Sequence, residues 1–239
     1  SIRRQRQMCI RDRQSIVFMF LNLEKCQMLF GSISLVLELP RGERSPMGYI
    51  WYSFLNLCKQ MSSFSLQPIL GDSLVSMEPL LECHFDELFA IASDPLIWEQ
   101  HPNRERYKPD VFRRYFDEGL ASGGALIVGD AKSKEVIGCS WYYDLKESEV
   151  AIGYTFLGRE YWGHTYNRSI KKLMLDHAFQ FVDSVMFHVG ANNIRSQTAM
   201  GKLGAIKIGE QIIDFPSEPN PHNFVYEITN ERWLELQMA

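Results

Sequence analysis

Apolar positions in this chain repeat at two different spacings, and the order of the spacings predicts the elements. Leu88, Phe89 and Ile91, set among acidic residues, predict a helix from Asp86 to Ala92 that stops before Asp94-Pro95. A second helix opens with Pro109 at a first-turn position, runs to about Leu120 and ends before Gly123-Gly124. Ala125 to Val128 and Val136 to Tyr143 read as neighbouring strands around a turn from Asp130 to Lys134. Glu149 to Leu157, rich in β-branched and aromatic residues, predicts the next strand. Helical spacing returns at Ile170, Leu173, Met174, Ala178, Phe179 and Val182. Val185 to Val189 then reads as a short strand, and Ile194 to about Leu203 as a helix closed by Gly204. Ile206 to Ile213 and Phe224 to Ile228 complete an antiparallel pair around the proline-rich link Pro216 to Pro221. The expected class is mixed α/β.

Between the Glu149 strand and the helix carrying Ile170 lies Tyr161-Trp162-Gly163-His164-Thr165-Tyr166-Asn167. Gly163 and Thr165 are small enough for a ligand to approach the backbone. The first turn of the following helix leaves about four amide N–H groups without intrahelical partners, and those amides attract an anion. A glycine before a helix is also ordinary turn chemistry. A second motif, Asn193-Ile194-Arg195-Ser196 followed by Lys202-Leu203-Gly204-Ala205, comes after the Val185 strand.

This order and spacing resemble the GNAT superfamily of acetyl-CoA-dependent N-acetyltransferases, over roughly Leu66 to Trp233. Within it the chain is similar to the bacterial type that includes the ribosomal-protein N-terminal acetyltransferases, with Trp98-Glu99-Gln100-His101-Pro102 and Leu173-Met174-Leu175-Asp176-His177-Ala178-Phe179 agreeing. The resemblance implies a mixed, largely antiparallel central sheet flanked by helices, whose two central strands splay apart around coenzyme A. It places Thr155, Phe156 and Leu157 beside the pantetheine arm. It sets Trp162, Gly163, His164, Thr165, Tyr166 and Asn167 around the pyrophosphate. Asn193 and Ser196 are expected at the pantetheine amides, with N-capping of their own helix as the alternative or additional role. The loop Trp98 to Tyr107 is expected to help wall the acceptor site.

Acetyl transfer to an amine needs a base. Glu149, at the start of the strand leading to the cofactor, is one candidate; many relatives carry a Glu two residues later, where Ala151 stands. His188, alternating opposite to Phe187 and Val189, is the other. Solvated and structural roles are the plainer alternatives for the two. Many relatives place a tyrosine thiolate donor four residues after the motif serine, where this chain has Met200, so no proton donor carries over. Glu160 occupies a loop position where the family commonly has Arg or Gln, and it is expected to point outward. The expected activity is transfer of an acetyl group from acetyl-CoA to a primary amine, on a protein N-terminus or a small molecule. A noncatalytic acyl-CoA sensor is the alternative.

The first sixty residues have a different composition. Nine Lys/Arg and four Asp/Glu precede Met61, leaving 16 and 25 after it out of 25 and 29. Met8-Cys9-Ile10-Arg11-Asp12-Arg13 can be encoded by DNA resembling a sequencing-library transposon end, so Ser1 to about Arg13 reads as translated adapter and Gln14 to Gln60 as leader, with a genuine appendage or a targeting segment as the alternatives. The acetyltransferase domain is then expected over residues 61–239. The apolar runs Ile16 to Leu21 and Met47 to Leu55 are too short for a membrane span. The acidic balance argues against nonspecific nucleic-acid binding. Cys83 and Cys139 have no metal-ligand spacing, no metal site is expected, and a reducing cytoplasmic setting fits. Oligomeric state is left open.

Overall fold

The computed structural model describes residues 64–212 and 222–238, all within the unit Phe54–Ala239. The expected leader, and the link from Pro216 to Pro221, lie outside the described residues.

Among the described residues thirteen strands and α-helices follow one another: β1 (Leu70–Gly71), β2 (Val75–Pro79), α1 (Phe85–Ala92), α2 (Pro109–Ser122), β3 (Ala125–Asp130), β4 (Val136–Tyr143), β5 (Glu149–Leu157), α3 (Tyr166–Ala178), β6 (Ser184–Gly190), α4 (Ile194–Leu203), β7 (Ile206–Ile212), β8 (His222–Thr229) and α5 (Asn230–Met238). The strands form one eight-stranded sheet in the order β1-β2-β3-β4-β5-β6-β8-β7. Every pairing is antiparallel except β5 with β6.

Strand alternation divides the core into two layers. Leu126 and Val128 of β3 pack in one cluster with Ile170, Met174 and Leu175 of α3, whereas Ala125 and Ile127 pack in the other with Leu88 of α1 and Phe112, Tyr115 and Phe116 of α2. Two polar ties fix α3: Tyr142 Oη donates to Met174 O at 2.6 Å, and Trp233 Nε1 of α5 donates to Asp176 Oδ1 at 2.8 Å.

The helical spacing that continues to Phe179 and Val182 outruns the helix. α3 ends at Ala178, and the Val182 amide turns back to Ala178 O at 3.0 Å. Val182 is still buried, because the turn returns it to the core. A pattern of burial therefore outlasted the helix that it suggested.

Where β5 leaves β6, the site opens. The two strands pair at Glu149–Ser184, Val150–Val185 and Ala151–Met186, and no pair follows. On its other edge β5 is bulged: β4 and β5 pair at Trp141–Gly153 and next at Cys139–Phe156. Tyr154 takes φ +51 inside this irregularity, a left-handed conformation that is uncommon for a non-glycine residue. The extra residue flips the strand's parity. Ile152 and Leu157 both reach the α3 layer, while Phe156 joins the α1–α2 layer.

Candidate active site

A cavity of about 1110 Å³ follows the gap between β5 and β6. Beyond the bulge, Thr155, Phe156 and Leu157 line it from β5 and His188 from β6. Because no β5–β6 ladder forms there, the backbone of this stretch is available to an extended ligand carrying amides of its own.

At the gap's far end is the turn that the sequence singled out. Trp162, Gly163, His164, Thr165 and Asn167 all line the cavity. Gly163 takes φ +75, and a Cβ built on it would meet nothing within 4 Å, so the turn leaves open space over its backbone. Thr165 is the N-cap of α3, yet its side chain makes no capping hydrogen bond. α4 differs: Asn193 Oδ1 accepts from Ser196 N at 3.1 Å and Gln100 Oε1 from Arg195 N at 3.0 Å. The N-cap role of Asn193 is thus present, and Asn193 and Ser196 also line the cavity. An uncapped helix start beside open backbone, joined to an unpaired strand stretch, fits the pyrophosphate and pantetheine of coenzyme A.

Tyr166 does not join the cavity lining. Its hydroxyl donates instead to Asp130 Oδ2 at 2.5 Å, tying α3 to the end of β3. That hydrogen bond holds the Asp130 carboxyl down at about 2 and pushes the Tyr166 hydroxyl up to about 12. Glu160 is exposed, its carboxylate folded over Gly158, as its expected outward direction requires.

The two candidate bases have different fates. Glu149 stands where β5 and β6 still pair, outside the cavity lining, with its carboxylate on Lys146 Nζ at 2.6 Å. His188 lines the cavity, with Nδ1 2.8 Å from Tyr143 Oη. Burial lowers its pKa, Lys146 adds to that, and Asp144 and Glu149 oppose it. When Nδ1–H donates to Tyr143, the Nε2 lone pair is the proton acceptor. Met200 is buried along the same cavity.

Sequence reasoning missed Lys171. This α3 lysine is only 4% exposed and lines the cavity. Its Nζ donates to Thr155 Oγ1 at 2.6 Å and Ser140 Oγ at 3.1 Å, and burial lowers its pKa to about 7. Its position in the helical period, one residue after Ile170, was the available signal.

A roof spans the gap. Trp98 Nε1 donates to Ala92 O at 2.7 Å, Pro102 packs against Gly190 at the end of β6, and Glu99 pairs with Arg195 at 3.2 Å. The Arg195 guanidinium lies 4.0 Å from the Trp162 ring centre. The loop from Trp98 to Tyr107 therefore meets β5 through the Trp98–Phe156 ring pair and β6 through Pro102, and Arg195 bridges Glu99 to the Trp162 ring. Among the described residues, no group of three or more His, Cys, Asp or Glu is arranged to hold a metal ion, and no helix is long and apolar enough to cross a membrane.

Comparison with known proteins agrees with this geometry. No curated protein matches the chain. Its fold is similar to that of a GCN5-related N-acetyltransferase from Brucella melitensis, at TM-score 0.63 and 18% identity over 72% of this chain and 83% of that one. A spermidine N-acetyltransferase from Vibrio cholerae, solved with CoA and spermine, gives TM-score 0.53 and 14% identity over 68% and 99%. Mycobacterium smegmatis RimJ, solved with CoA-disulfide, gives 0.53 and 14% over 69% and 87%. The family model for the acetyltransferase (GNAT) domain matches residues 75–206, more than half of the chain, which therefore belongs to the GNAT acetyltransferases, acyltransferases that use acetyl-CoA.

Proposed function

We propose that this enzyme transfers the acetyl group of acetyl-CoA to a primary amine by direct attack in a ternary complex, with His188 as the base. The observation that carries this reading is the His188–Tyr143 pair at 2.8 Å, on the wall of the cavity that follows the gap. Acetyl-CoA, when bound, supplies an activated acyl group. Trp162, Gly163, His164, Thr165 and Asn167 hold its pyrophosphate, and Thr155, Phe156, Leu157, Asn193 and Ser196 its arm. His188 takes the proton that the attacking nitrogen sheds as the new N–C bond replaces the thioester C–S bond, whose electron pair leaves with sulfur. An α-amine near pKa 8 asks less of that base than a lysine-like amine near 10.4. The roof from Trp98 to Tyr107 orients the amine and excludes water.

Protein N-termini and small-molecule amines are the two acceptor types that this reading admits. The RimJ likeness favours the first and the spermidine acetyltransferase likeness the second. Among the described residues both cysteines, Cys83 exposed and Cys139 buried, are free thiols, which suits a cytoplasmic protein. The test is release of free coenzyme A thiol over peptides, amino acids, polyamines and aminoglycosides, with His188→Ala in parallel. Turnover of one acceptor class that collapses in the variant supports the assignment. Undiminished turnover in the variant removes His188 from the chemistry.

A further inference from the structure

Two proton carriers line the cavity from opposite faces of the sheet. On β6, Phe187 packs in the α3 layer, and His188, the next residue, alternates to the other side. On β4, Tyr142 likewise packs in the α3 layer, and its neighbour Tyr143 meets His188 at 2.8 Å. Lys171 reaches the same cavity from α3 itself. The gap between β5 and β6 thus has an imidazole on the α1–α2 side and an amine on the α3 side.

Acetyl transfer takes one proton and gives one. In the reading above His188 takes the proton of the attacking nitrogen, while sulfur leaves with the electron pair of the broken C–S bond. A thiolate released in a space shielded from water is costly until it is protonated. His188 is on the wrong face to do this.

Lys171 has the placement for it. The side chain is 4% exposed, and Nζ donates to Thr155 Oγ1 of β5 at 2.6 Å and to Ser140 Oγ of β4 at 3.1 Å. Nζ also lies 6.0 Å from the ring centre of Phe187 on β6. It therefore stands where β4, β5 and β6 meet, at the stretch where β5 and β6 have stopped pairing. An ammonium has three N–H donors, and the two hydroxyls take two of them. Nor is the amine needed as a tie, since Ser140 and Thr155 Oγ atoms are 2.7 Å apart and can bond each other.

We propose that Lys171 donates the proton to the departing sulfur, as a catalytic residue across the gap from the base. This rests on the acetyltransferase reading and adds the fate of the leaving group to it. As the N–C bond forms and the C–S bond breaks, the new electron pair on sulfur takes a proton from Nζ, giving a thiol and a neutral amine. His188 ends the turn protonated, and one proton passing from it to Lys171 through solvent restores both.

The surroundings of Nζ suit this exchange. Burial lowers the amine to about 7, and the Cys139 thiol of β4 opposes that only when ionised. Burial pushes Cys139 itself up to about 11, so it stays neutral through the range in which Lys171 titrates. Thr155 and Phe187 bring no charge, and His188 is on the opposite face. A thiol with an ordinary pKa of about 8.5 holds a proton more tightly than this amine, so the transfer runs downhill.

The experiment uses the full chain with isotope-labelled lysine, the Lys171 signal being identified by its loss in Lys171→Met. Its pH titration is followed by magnetic resonance in the free protein, with coenzyme A, and with desulfo-coenzyme A, which lacks only the sulfur. Coenzyme A should move the Lys171 titration and desulfo-coenzyme A should not. In parallel, thiol release with the acceptor that turns over in the panel above should give a bell-shaped kcat profile whose alkaline limb falls near pH 7. Lys171→Met should lower kcat by about 10² to 10⁴, abolish that limb and leave the KM for acetyl-CoA little changed. A merely structural lysine would change stability and leave the limb in place. Should Lys171→Met not fold, Lys171→Arg replaces it, because a guanidinium keeps the charge and cannot give up its proton. Equal responses to the two ligands, or an alkaline limb that survives in the variant, overturn the assignment. Coenzyme A binding without turnover leaves the two-ligand comparison to decide, whereas failure to bind coenzyme A removes the acetyltransferase reading beneath it.

Discussion

Tyr143 and His188 are joined across a strand: Oη of the first, at the end of β4, lies 2.8 Å from Nδ1 of the second, on β6. Between them runs β5, and the Tyr143 ring crosses it at Gly153, where a Cβ would come within 2.9 Å of the ring's Cε1. Gly153→Ala should therefore push the ring aside and break the link without touching either partner. We expect kcat to fall by about tenfold to a hundredfold, toward the loss from removing the base itself. Steady-state kinetics with coenzyme A affinity as the control checks this.

His188→Ala should lower kcat by about 10² to 10⁴ and leave coenzyme A affinity unchanged. Glu149→Gln should leave kcat near that of the unaltered enzyme, because its carboxylate is on Lys146 outside the cavity. Burial depresses His188, so the acid limb of the kcat profile should fall below the ordinary histidine value of about 6.5. A limb at or above that value would point to another base.

Gly163→Ala places an L side chain at φ +75, which costs about 1–2 kcal/mol. The Cβ enters open space, so the strain is in the backbone. Denaturant midpoints should report that loss, and calorimetry a weaker grip on coenzyme A. Equal affinity in the variant would separate this turn from the pyrophosphate.

Lys171 should make stability rise with pH. Its folded pKa of about 7 lies below the ordinary 10.5, so the unfolded chain binds the extra proton between those values. The full cost of burying the amine is felt below about pH 7, and it is relieved as pH climbs toward 10.5. Lys171→Met should stabilise the fold by about 1–4 kcal/mol at pH 6 and by little at pH 10. The Ser140 and Thr155 hydroxyls, already 2.7 Å apart, keep each other as partners. Urea unfolding at both pH values gives the answer.

Asp130 has the opposite sign. Its carboxyl is held at about 2 against an ordinary 3.8, chiefly by the Tyr166 hydroxyl, so its contribution is present above 3.8 and lost as pH falls toward 2. Tyr166→Phe should shrink that acid-labile share. The two proteins should then differ more in stability at pH 5 than at pH 2, with unfolding followed by tryptophan fluorescence.

Much of this could be read before any coordinates, and the reasons are local. Pro109, Gly123 and Gly204 mark helix ends through their own backbone chemistry, and the Ile194 to Leu203 helix fell where expected. Val75 and Met77 alternate inward as a strand should, but β2 is short and went unread, as did α5. Along the cavity, the turn was singled out by its own residues, whereas Thr155 to Leu157 were expected there only through the resemblance to the family. Tyr166 sits in that turn, yet its hydroxyl goes to Asp130 and not to the cavity. Lys171 and Arg106 were overlooked for a different reason: what makes them unusual is burial, and although Lys171 follows the buried position Ile170, charge in a sequence reads as solvated surface. The bulge at Tyr154 carried no signal, since tyrosine is an ordinary strand residue.

A bare strand edge is normally a hazard, because another chain can add to it and start an aggregate. This protein keeps two such edges facing each other in the interior of its sheet, beneath the loop that Trp98 and Pro102 pin in place. A thin arm with a few amides of its own is the kind of partner that such a gap suits. The fold thereby retains the appetite of an open edge for backbone-like partners while keeping that edge inside its own sheet.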